Sequence, residues 1–383
     1  MVSIPTIIFY VLIFMSVYVQ VFLLVTFLEN RKKIIIRNGA IKLSKYPAVT
    51  IIVPCWNEEK TVYKTIRSLF DLNYPKDKVK IFLVDDGSTD GTWNIISKFA
   101  KYKNVTIFRK ENGGKHSALN LGLEHVETEF LACLDADSYT DRESLVRLMS
   151  YFEKDPSAMA VAPSIVASNA HKIIQKAQKA EYHLGVYMKK MLGFLGAINV
   201  TPGPLTVFKI THCNDAYVYT NTPGTIKKLY RQRLRWIYGF INNTIDYRGV
   251  LLQKKYGNFA LFTLPTGIIS IFAVGYMFGR IIYNVGSFIY DKVIHFQAVG
   301  FQLGREVNAF DPFFINTKMS LFLVTLVYFI VFFAMMSGAK MYDGKWKFSF
   351  GMFYFFPVFM IIAPFWILKA IWNTLLSRAP AWR

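Results

Sequence analysis

Long uncharged apolar runs at both ends of the chain limit how it can fold. Residues 4–28 contain no charged side chain, and further apolar runs lie in the last third, at 259–279, 319–336 and 348–368. A helix needs about 20 consecutive apolar residues to cross a bilayer, so each run is long enough to do so. We therefore expect four membrane spans around a polar middle segment.

The charges that flank the apolar runs predict an orientation. The first run is followed at once by basic residues, namely Arg31, Lys32, Lys33 and Arg37. By the positive-inside rule this flank is cytoplasmic, and a cleaved signal peptide would instead carry its basic residues before the apolar core. We expect a multi-pass protein of the cell (plasma) membrane with a cytoplasmic middle segment. Four spans place the C-terminus outside, but Arg378 and Arg383 favour a re-entrant or interfacial last run.

The chain is 53% hydrophobic, yet it carries a formal net charge of +20 over 383 residues. Attraction to anionic lipid at the cytoplasmic surface explains this excess, and a phosphorylated substrate could use part of it. We expect no nucleic-acid partner, because the sequence contains no recognition module. The cysteines have no metal-type spacing and are expected to be reduced, as in a cytosolic domain. Partner subunits are unknown.

Strand-like and helix-like stretches alternate in the polar middle segment. The strand-like stretches are 48–55, 79–84, 105–108 and 130–138, and the helix-like stretches are 58–70, 92–100, 112–123 and 142–152. Asn57 is well placed to cap the first of these helices. This rhythm predicts an α/β fold with a doubly wound, mostly parallel sheet and helices on both faces. Residues 171–195 form an amphipathic pattern, typical of a helix on the membrane or on the domain surface.

Residues 130–138 read F-L-A-C-L-D-A-D-S, an apolar run that ends in two aspartates. As a buried strand, this run would place Asp135 and Asp137 on one face at the carboxyl end of the sheet, where ligands bind. Two carboxylates at this spacing can hold Mg²⁺ or Mn²⁺, with a substrate diphosphate completing the coordination. The alternative is a solvated Asp-x-Asp turn.

Other polar residues at strand and helix ends suit a nucleotide. Asp86 follows a strand and can accept a hydrogen bond from a base N–H. Lys115 begins a helix after two glycines, so its ammonium and the helix N-terminus can both contact phosphate, although a solvated lysine fits equally well. Glu58 lies at the neighbouring strand end, where it can instead stabilise the first turn of a helix.

Five short motifs occur in a consistent order: V-P-C-W-N-E at 53–58, D-D-G-S at 85–88, G-G-K-H-S-A-L-N at 113–120, D-A-D at 135–137 and Q-R-L-R-W at 232–236. Together they resemble the family 2 glycosyltransferases, which have the GT-A fold. More narrowly, they resemble the membrane-integrated processive synthases of cellulose, chitin, hyaluronan and poly-N-acetylglucosamine. The resemblance covers residues 48–236 and the flanking spans.

The resemblance implies a role for each matching residue. The donor, a UDP-sugar, would contact Pro54, Glu58, Asp86, Lys115 and Asp135, and the metal, Mg²⁺ or Mn²⁺, would be held by Asp137. The catalytic signature would be Gln232, Arg235 and Trp236. Arg235 can neutralise the departing UDP. The growing glycan acceptor would contact Gly203, Pro204 and Trp236; an ordinary interfacial Trp–Arg pair is the alternative for the signature.

The implied activity is an inverting transfer that polymerises a UDP-sugar, UDP-N-acetylglucosamine, into a β-linked polysaccharide and moves it across the membrane. Single transfer to a polyprenyl phosphate or glycolipid stays open. The expected organisation is an N-terminal transmembrane helix at 1–30, a cytosolic GT-A domain with interfacial helices at 31–250, transmembrane helices at 251–373 and a tail at 374–383.

One element of the family pattern is missing. These synthases carry a T-E-D-like motif before Q-x-x-R-W, and its aspartate is the general base that takes the proton of the acceptor hydroxyl. This sequence has no such motif, and Lys209 to His212 joins two elements directly. Either the printed sequence omits a segment there, or the protein lacks it and is an inactive carbohydrate-binding subunit. Asp215 is interpreted as structural, and His212 as a strand-edge histidine rather than a metal ligand.

Overall fold

The computed structural model describes residues 4–34, 41–155, 158, 160–168, 170–198, 210–220, 222–299, 319–378 and 380. Its strands are β1 (Val49–Cys55), β2 (Val79–Asp86), β3 (Val105–Lys110), β4 (Phe130–Cys133), β5 (Ser138–Thr140), β6 (Ala160–Ala167) and β7 (Ile210–Thr220). Its α-helices are α1 (Ile4–Asn30), α2 (Val62–Phe70), α3 (Thr92–Ile96), α4 (Lys115–Leu123), α5 (Ser144–Lys154), α6 (Ile173–Phe194), α7 (Ile226–Asp246), α8 (Leu264–Val299), α9 (Met319–Asp343) and α10 (Gly351–Leu375).

The first sheet has the strand order β3-β2-β1-β4, and every neighbouring pair is parallel. The chain winds outwards from β1 in one direction and then returns to its other side at β4. The connections on the two sides of β1 therefore diverge, which leaves a crevice between the carboxyl ends of β1 and β4. This confirms the predicted parallel sheet with flanking helices.

Apolar clusters cover both faces of this sheet. Ile51 and Val53 of β1 lie in the larger cluster, which includes side chains of α2 and α5. Ile52, between them, points to the opposite face and lies in a cluster with Ala118 of α4. Side chains alternate between the faces of a strand, so a continuous apolar run is what a strand buried on both faces requires.

The prediction of one strand across residues 130–138 is wrong. The strand β4 ends at Cys133, and Ser138 already begins β5, which belongs to a second sheet of order β5-β7-β6. The backbone turns between the two sheets, with the N–H of Ser138 donating to the carbonyl of Asp135 at 2.9 Å. The two aspartates therefore lie in a turn, and the argument that they share one face of a strand does not apply.

Within the described residues, four helices are long and apolar enough to cross a membrane: Ile4–Asn30, Phe259–Gln297, Leu321–Asp343 and Gly351–Leu375. This agrees with the predicted number of apolar runs. The second is much longer than the predicted 259–279, because α8, which follows a π-helical turn at Phe259–Thr263, continues past Gly279 to Val299. The last of the four helices, α10, continues through Pro357 and Pro364.

The amphipathic helix α6 packs against the apolar helices rather than standing alone on the domain. Its Tyr187 hydroxyl donates to the carbonyl of Leu23 in α1 at 3.1 Å. Glycines let α9 and α10 come very close to its backbone: a Cβ on Gly338 would lie 1.8 Å from the carbonyl oxygen of His183, and one on Gly351 would lie 2.4 Å from that of Lys176. The helix α6 thus lies between the α/β domain and the apolar helices.

The stretch Q-R-L-R-W lies inside α7. This helix begins after Thr225, whose hydroxyl oxygen accepts a hydrogen bond from the N–H of Lys228 at 3.3 Å. Such capping satisfies one of the free N–H groups of the first turn. The signature side chains are therefore carried on a continuous helix, with fixed spacing along its surface.

Candidate active site

The acidic turn after β4 is held from both sides. The hydroxyl of Thr65 in α2 donates to the carbonyl of Ala136 at 2.8 Å, which fixes the turn against the first sheet. The hydroxyl of Ser138 donates to Oδ1 of Asp137 at 3.2 Å. The turn therefore presents Asp135 and Asp137 at the carboxyl edge of the sheet, beside the crevice.

The two carboxylates influence one another. Burial raises the pKa of Asp137, and the nearby negative charge of Asp135 raises it further, while the Ser138 hydroxyl and Lys115 lower it. The ammonium of Lys115 pairs with Oδ1 of Asp135, and both side chains are about one-third exposed (34% and 31%). The pair places the first residue of α4 next to the acidic turn, and phosphate binding by Lys115 stays a prediction.

The acidic turn fits a divalent cation bound together with a substrate. The described residues contain no group of three or more His, Cys, Asp or Glu side chains that could hold a metal alone. Burial and the neighbouring acid disfavour the charged form of Asp137. A cation bound to the two carboxylates would therefore stabilise their negative charge. Mg²⁺ and Mn²⁺ commonly take one or two carboxylates and complete their coordination with substrate phosphates.

Asp86, at the end of β2, is buried and organises the loop that leads into α4. Its carboxylate accepts hydrogen bonds from Lys110 Nζ (2.9 Å), Gly113 N (3.0 Å), Gly114 N (2.8 Å) and Asn112 Nδ2 (3.3 Å). Gly114 has a φ of +88°, a conformation that favours glycine. Asp86 thereby fixes the position from which Lys115 reaches the acidic turn.

The segment after β1 differs from the prediction at Asn57. Asn57 is not a helix cap, because α2 begins only at Val62 and Thr61 is its N-cap. Instead, Asn57 adopts a φ of +53°, and its side-chain oxygen accepts a hydrogen bond from the N–H of Thr89 at 2.8 Å. This long-range contact ties the β1 end to the β2 end and outcompetes the local cap.

The predicted nucleoside contacts lie at the same edge. Pro54 lies in β1, paired in register with Val84 of β2. The N–H of Glu58 donates to the Thr92 hydroxyl at 2.8 Å, and its carboxylate accepts from the Thr61 hydroxyl at 2.6 Å. Glu58 is thus held at the start of α2. The roles of these residues in binding a nucleoside stay predictions.

The signature residues lie in different surroundings along α7. The Trp236 side chain is largely exposed, at 49%, whereas burial lowers the pKa of Arg235. The side-chain oxygen of Gln232 is buried and has no hydrogen-bond partner among the described residues. A buried acceptor of this kind is costly unless a donor reaches it, so Gln232 is suited to a ligand hydroxyl or amide.

Sequence reasoning missed Arg233, the second residue of Q-R-L-R-W. Its Nη2 pairs with Oε2 of Glu181 in α6 at 2.6 Å, and its Cζ lies 4.1 Å from the centre of the Trp236 ring. The only signal in the sequence was a second arginine inside the motif. Its partner lies 52 positions away on a different helix, which no local pattern reveals.

Tyr182 of α6 relates the acidic turn to the α7 signature. Burial raises its pKa to about 12; Arg233 opposes this shift, and the negative charges of Glu181 and Asp137 add to it. Both groups of candidate residues therefore act on one side chain.

Gly203, Pro204 and Lys209 lie outside the described residues, and of His212 and Asp215 only the backbone, in β7, is described.

The parallel sheet with its flanking helices has a GT-A-like fold, and the acidic turn and the lysine at the adjoining helix start lie at its carboxyl edge. Residues 50–213 match the model of Glycosyl transferase family 2.

Two relatives carry the name poly-beta-1,6-N-acetyl-D-glucosamine synthase. The one from Staphylococcus epidermidis is 30% identical over 224 residues, which cover 50% of this chain and 54% of that protein. The one from Staphylococcus aureus (strain COL) is 28% identical over 258 residues, covering 58% of this chain and 61% of that protein. The matched part thus spans little more than half of these relatives.

A solved structure supports the fold. It is a mannosyltransferase from Pyrobaculum calidifontis in complex with GDP-Man and Mn²⁺, with a TM-score of 0.57 and 15% identity, covering 96% of this chain and 99% of that chain. At this low identity the likeness shows the fold alone. It extends over the apolar helices as well as the sheet.

Proposed function

We propose that this protein is a membrane-bound inverting glycosyltransferase that polymerises UDP-N-acetylglucosamine into a β-linked polysaccharide. The observation that carries the proposal is the Asp135–Asp137 turn beside Lys115, in a family 2 domain whose relatives are named poly-beta-1,6-N-acetyl-D-glucosamine synthases. The apolar helices packed on α6 support a bilayer as partner and a route for the polymer across it.

The donor lies along the carboxyl edge of the first sheet. Pro54, Glu58 and Asp86 contact the nucleoside, and Lys115 at the start of α4 contacts the diphosphate. One of the four groups that donate a hydrogen bond to Asp86 must be displaced before a base N–H can donate to this carboxylate. Asp135 contacts the nucleotide, and Asp137 would hold Mg²⁺ or Mn²⁺, which when bound neutralises charge on the diphosphate.

The acceptor approaches from the side of α7. Trp236 supports its terminal sugar ring, and the acceptor hydroxyl oxygen attacks the anomeric carbon as the bond to the diphosphate breaks. Arg235, which keeps its charge at all relevant pH values, stabilises the departing UDP. Inversion at the anomeric carbon gives the β linkage.

The base that takes the acceptor proton belongs to a segment that the printed sequence omits between Lys209 and His212. In support, the 224 aligned positions with the Staphylococcus epidermidis relative cover only 50% of the 383 residues, so the relative has residues within the aligned region that this chain lacks. Sequencing the gene across this join tests the assignment. If the gene encodes no additional residues between Lys209 and His212, the assignment is contradicted and an inactive subunit is favoured.

The activity is tested with the purified full-length protein, Mn²⁺ and a panel of radiolabelled UDP-sugars. We expect incorporation from UDP-N-acetylglucosamine into a high-mass, glycosidase-sensitive product. An organic-soluble product would instead indicate single transfer to a lipid. Binding of UDP without turnover would indicate a carbohydrate-binding subunit.

Replacing Asp137 with asparagine tests the acidic turn itself. Loss of several kcal/mol of metal-assisted stabilisation should lower incorporation on the order of 100–1000-fold. Because the fold raises the pKa of Asp137, its charge is unfavourable without metal, and the metal-free variant should unfold at the same or a higher temperature. Asp77→Asn, at an exposed acid, is the matched control. Unchanged incorporation and metal dependence would refute the assignment.

A further inference from the structure

A buried ion pair connects α6 to the middle of the α7 signature. Nη2 of Arg233 lies 2.6 Å from Oε2 of Glu181, and the two side chains are only 8% and 24% exposed. Removing one partner of such a pair leaves an uncompensated charge in a poorly solvated place, which is far more costly than breaking a surface pair. The side chain of Arg233 is therefore held in one position.

That position places the guanidinium against aromatic rings. Its Cζ lies 4.1 Å from the centre of the Trp236 ring and 5.7 Å from that of Phe359 in α10. A guanidinium at this distance is attracted to the ring face and stacks on it through its planar group. Arg233 thus covers part of the indole, while 49% of the Trp236 side chain stays exposed.

The two contacts depend on each other. Burial raises the pKa of Glu181, and the charge of Arg233 opposes this shift and so favours the carboxylate. The carboxylate in turn holds the guanidinium over the indole. Without Glu181, the arginine would leave the ring to reach solvent, and the indole would lose the support on its covered side.

We propose that Glu181 and Arg233 are positioning residues that hold Trp236 in the orientation in which it receives the acceptor sugar. The inference rests on the proposed function, because it assigns Trp236 to the acceptor. It predicts a defect confined to the acceptor side: affinity for a glycan falls, whereas affinity for UDP does not.

Two substitutions separate the ion pair from the stacking. Glu181→Gln removes the charge but keeps the shape, and Arg233→Lys keeps the charge but removes the planar group. The probe is a soluble β-linked N-acetylglucosamine oligosaccharide, whose equilibrium affinity is measured on the full-length protein, with UDP affinity measured in parallel. We expect each variant to bind the oligosaccharide about tenfold more weakly, the size of effect that one cation–π contact supports. Arg231→Lys, at an exposed arginine of the same helix, is the matched control.

The outcomes separate the two proposals. Equal losses of oligosaccharide and UDP affinity, with a lower unfolding temperature, would show that the pair is only structural and would overturn the inference. Unchanged oligosaccharide affinity in both variants would overturn it as well. Absence of sugar incorporation by the wild-type protein would instead count against the proposed function, since the binding measurements do not require turnover.

Discussion

Asp86 has used its whole capacity as a hydrogen-bond acceptor. A carboxylate offers about four acceptor positions, and those of Asp86 are taken by Lys110, Asn112, Gly113 and Gly114. If this residue also binds the nucleobase, one of these four groups must be displaced, and three of the four belong to the loop that leads to Lys115. At the scale of this single residue, donor recognition and loop position are therefore coupled.

Asp86→Asn should lower both stability and UDP affinity. The new amide group would present an N–H donor towards the backbone N–H groups of Gly113 or Gly114, leaving a buried donor unsatisfied at a cost of about 1–3 kcal/mol. Thermal unfolding and a UDP titration measure the two effects. Asp77→Asn removes an exposed charge without this consequence. An unfolding temperature equal to that of the wild type would contradict the anchoring role.

At the scale of elements, the contact between α6 and α9 requires a glycine. A Cβ on Gly338 would lie 1.8 Å from the carbonyl oxygen of His183, so Gly338→Ala must force the helices apart. We expect a loss of about 1–3 kcal/mol, the usual range for overpacking. Thermal unfolding in detergent measures it. The control is Gly275→Ala in α8, where a Cβ would meet nothing within 4 Å. Equal unfolding temperatures for both variants would contradict this packing.

The contact between α6 and α9 should also make stability depend on pH. Burial lowers the pKa of His183 from 6.5 to about 4, with Lys179 and Lys347 adding to the shift and Asp343 opposing it. Between about pH 4 and 6.5, the imidazole of His183 is protonated in the unfolded chain but not in the folded protein. Stability from this group is therefore complete above about pH 6.5 and is lost as the pH falls towards about 4.

His183→Gln should flatten this dependence. Neither ring nitrogen of His183 makes a hydrogen bond to any residue that the structure describes, so no hydrogen bond there stabilises the protonated form. Unfolding temperatures are compared between pH 6.5 and 4 in the wild type and the variant. His125→Gln, at an exposed histidine, should keep the wild-type slope. Identical slopes in all three proteins would exclude the buried imidazole as the cause.

Elements stabilised by residues close together in the sequence could be predicted, whereas features that depend on residues far apart in the sequence could not. The apolar run of β1 and the helical spacing of α4 are local, and sequence alone located both. Asn57 was assigned wrongly because its partner, Thr89, comes from another strand end. The turn at Asp135 was read as a strand, since nothing local shows that the next residues join a second sheet. The Glu181–Arg233 pair was missed for the same reason.

At the scale of the whole molecule, α10 packs along α6 and α7 for most of its length. Its first residue, Gly351, approaches α6, and Phe359 contacts Arg233. Near its other end, Trp366, Ile367 and Ala370 share an apolar cluster with Leu229 and Leu234 of α7. A helix rises about 1.5 Å per residue, so these contacts extend over roughly the thickness of a bilayer core.

If α10 crossed the bilayer, the strongly basic helix α7 would have to follow it into the hydrocarbon region. Charged side chains there are expensive, so the packing favours an interfacial or re-entrant α10, the alternative suggested by Arg378 and Arg383. The C-terminus should then lie on the same side as the catalytic domain. We expect an impermeant maleimide to label Ser377→Cys and Asp77→Cys from the same side of sealed vesicles, with the wild type as blank. Labelling of Ser377→Cys from the opposite side would establish α10 as a true membrane span.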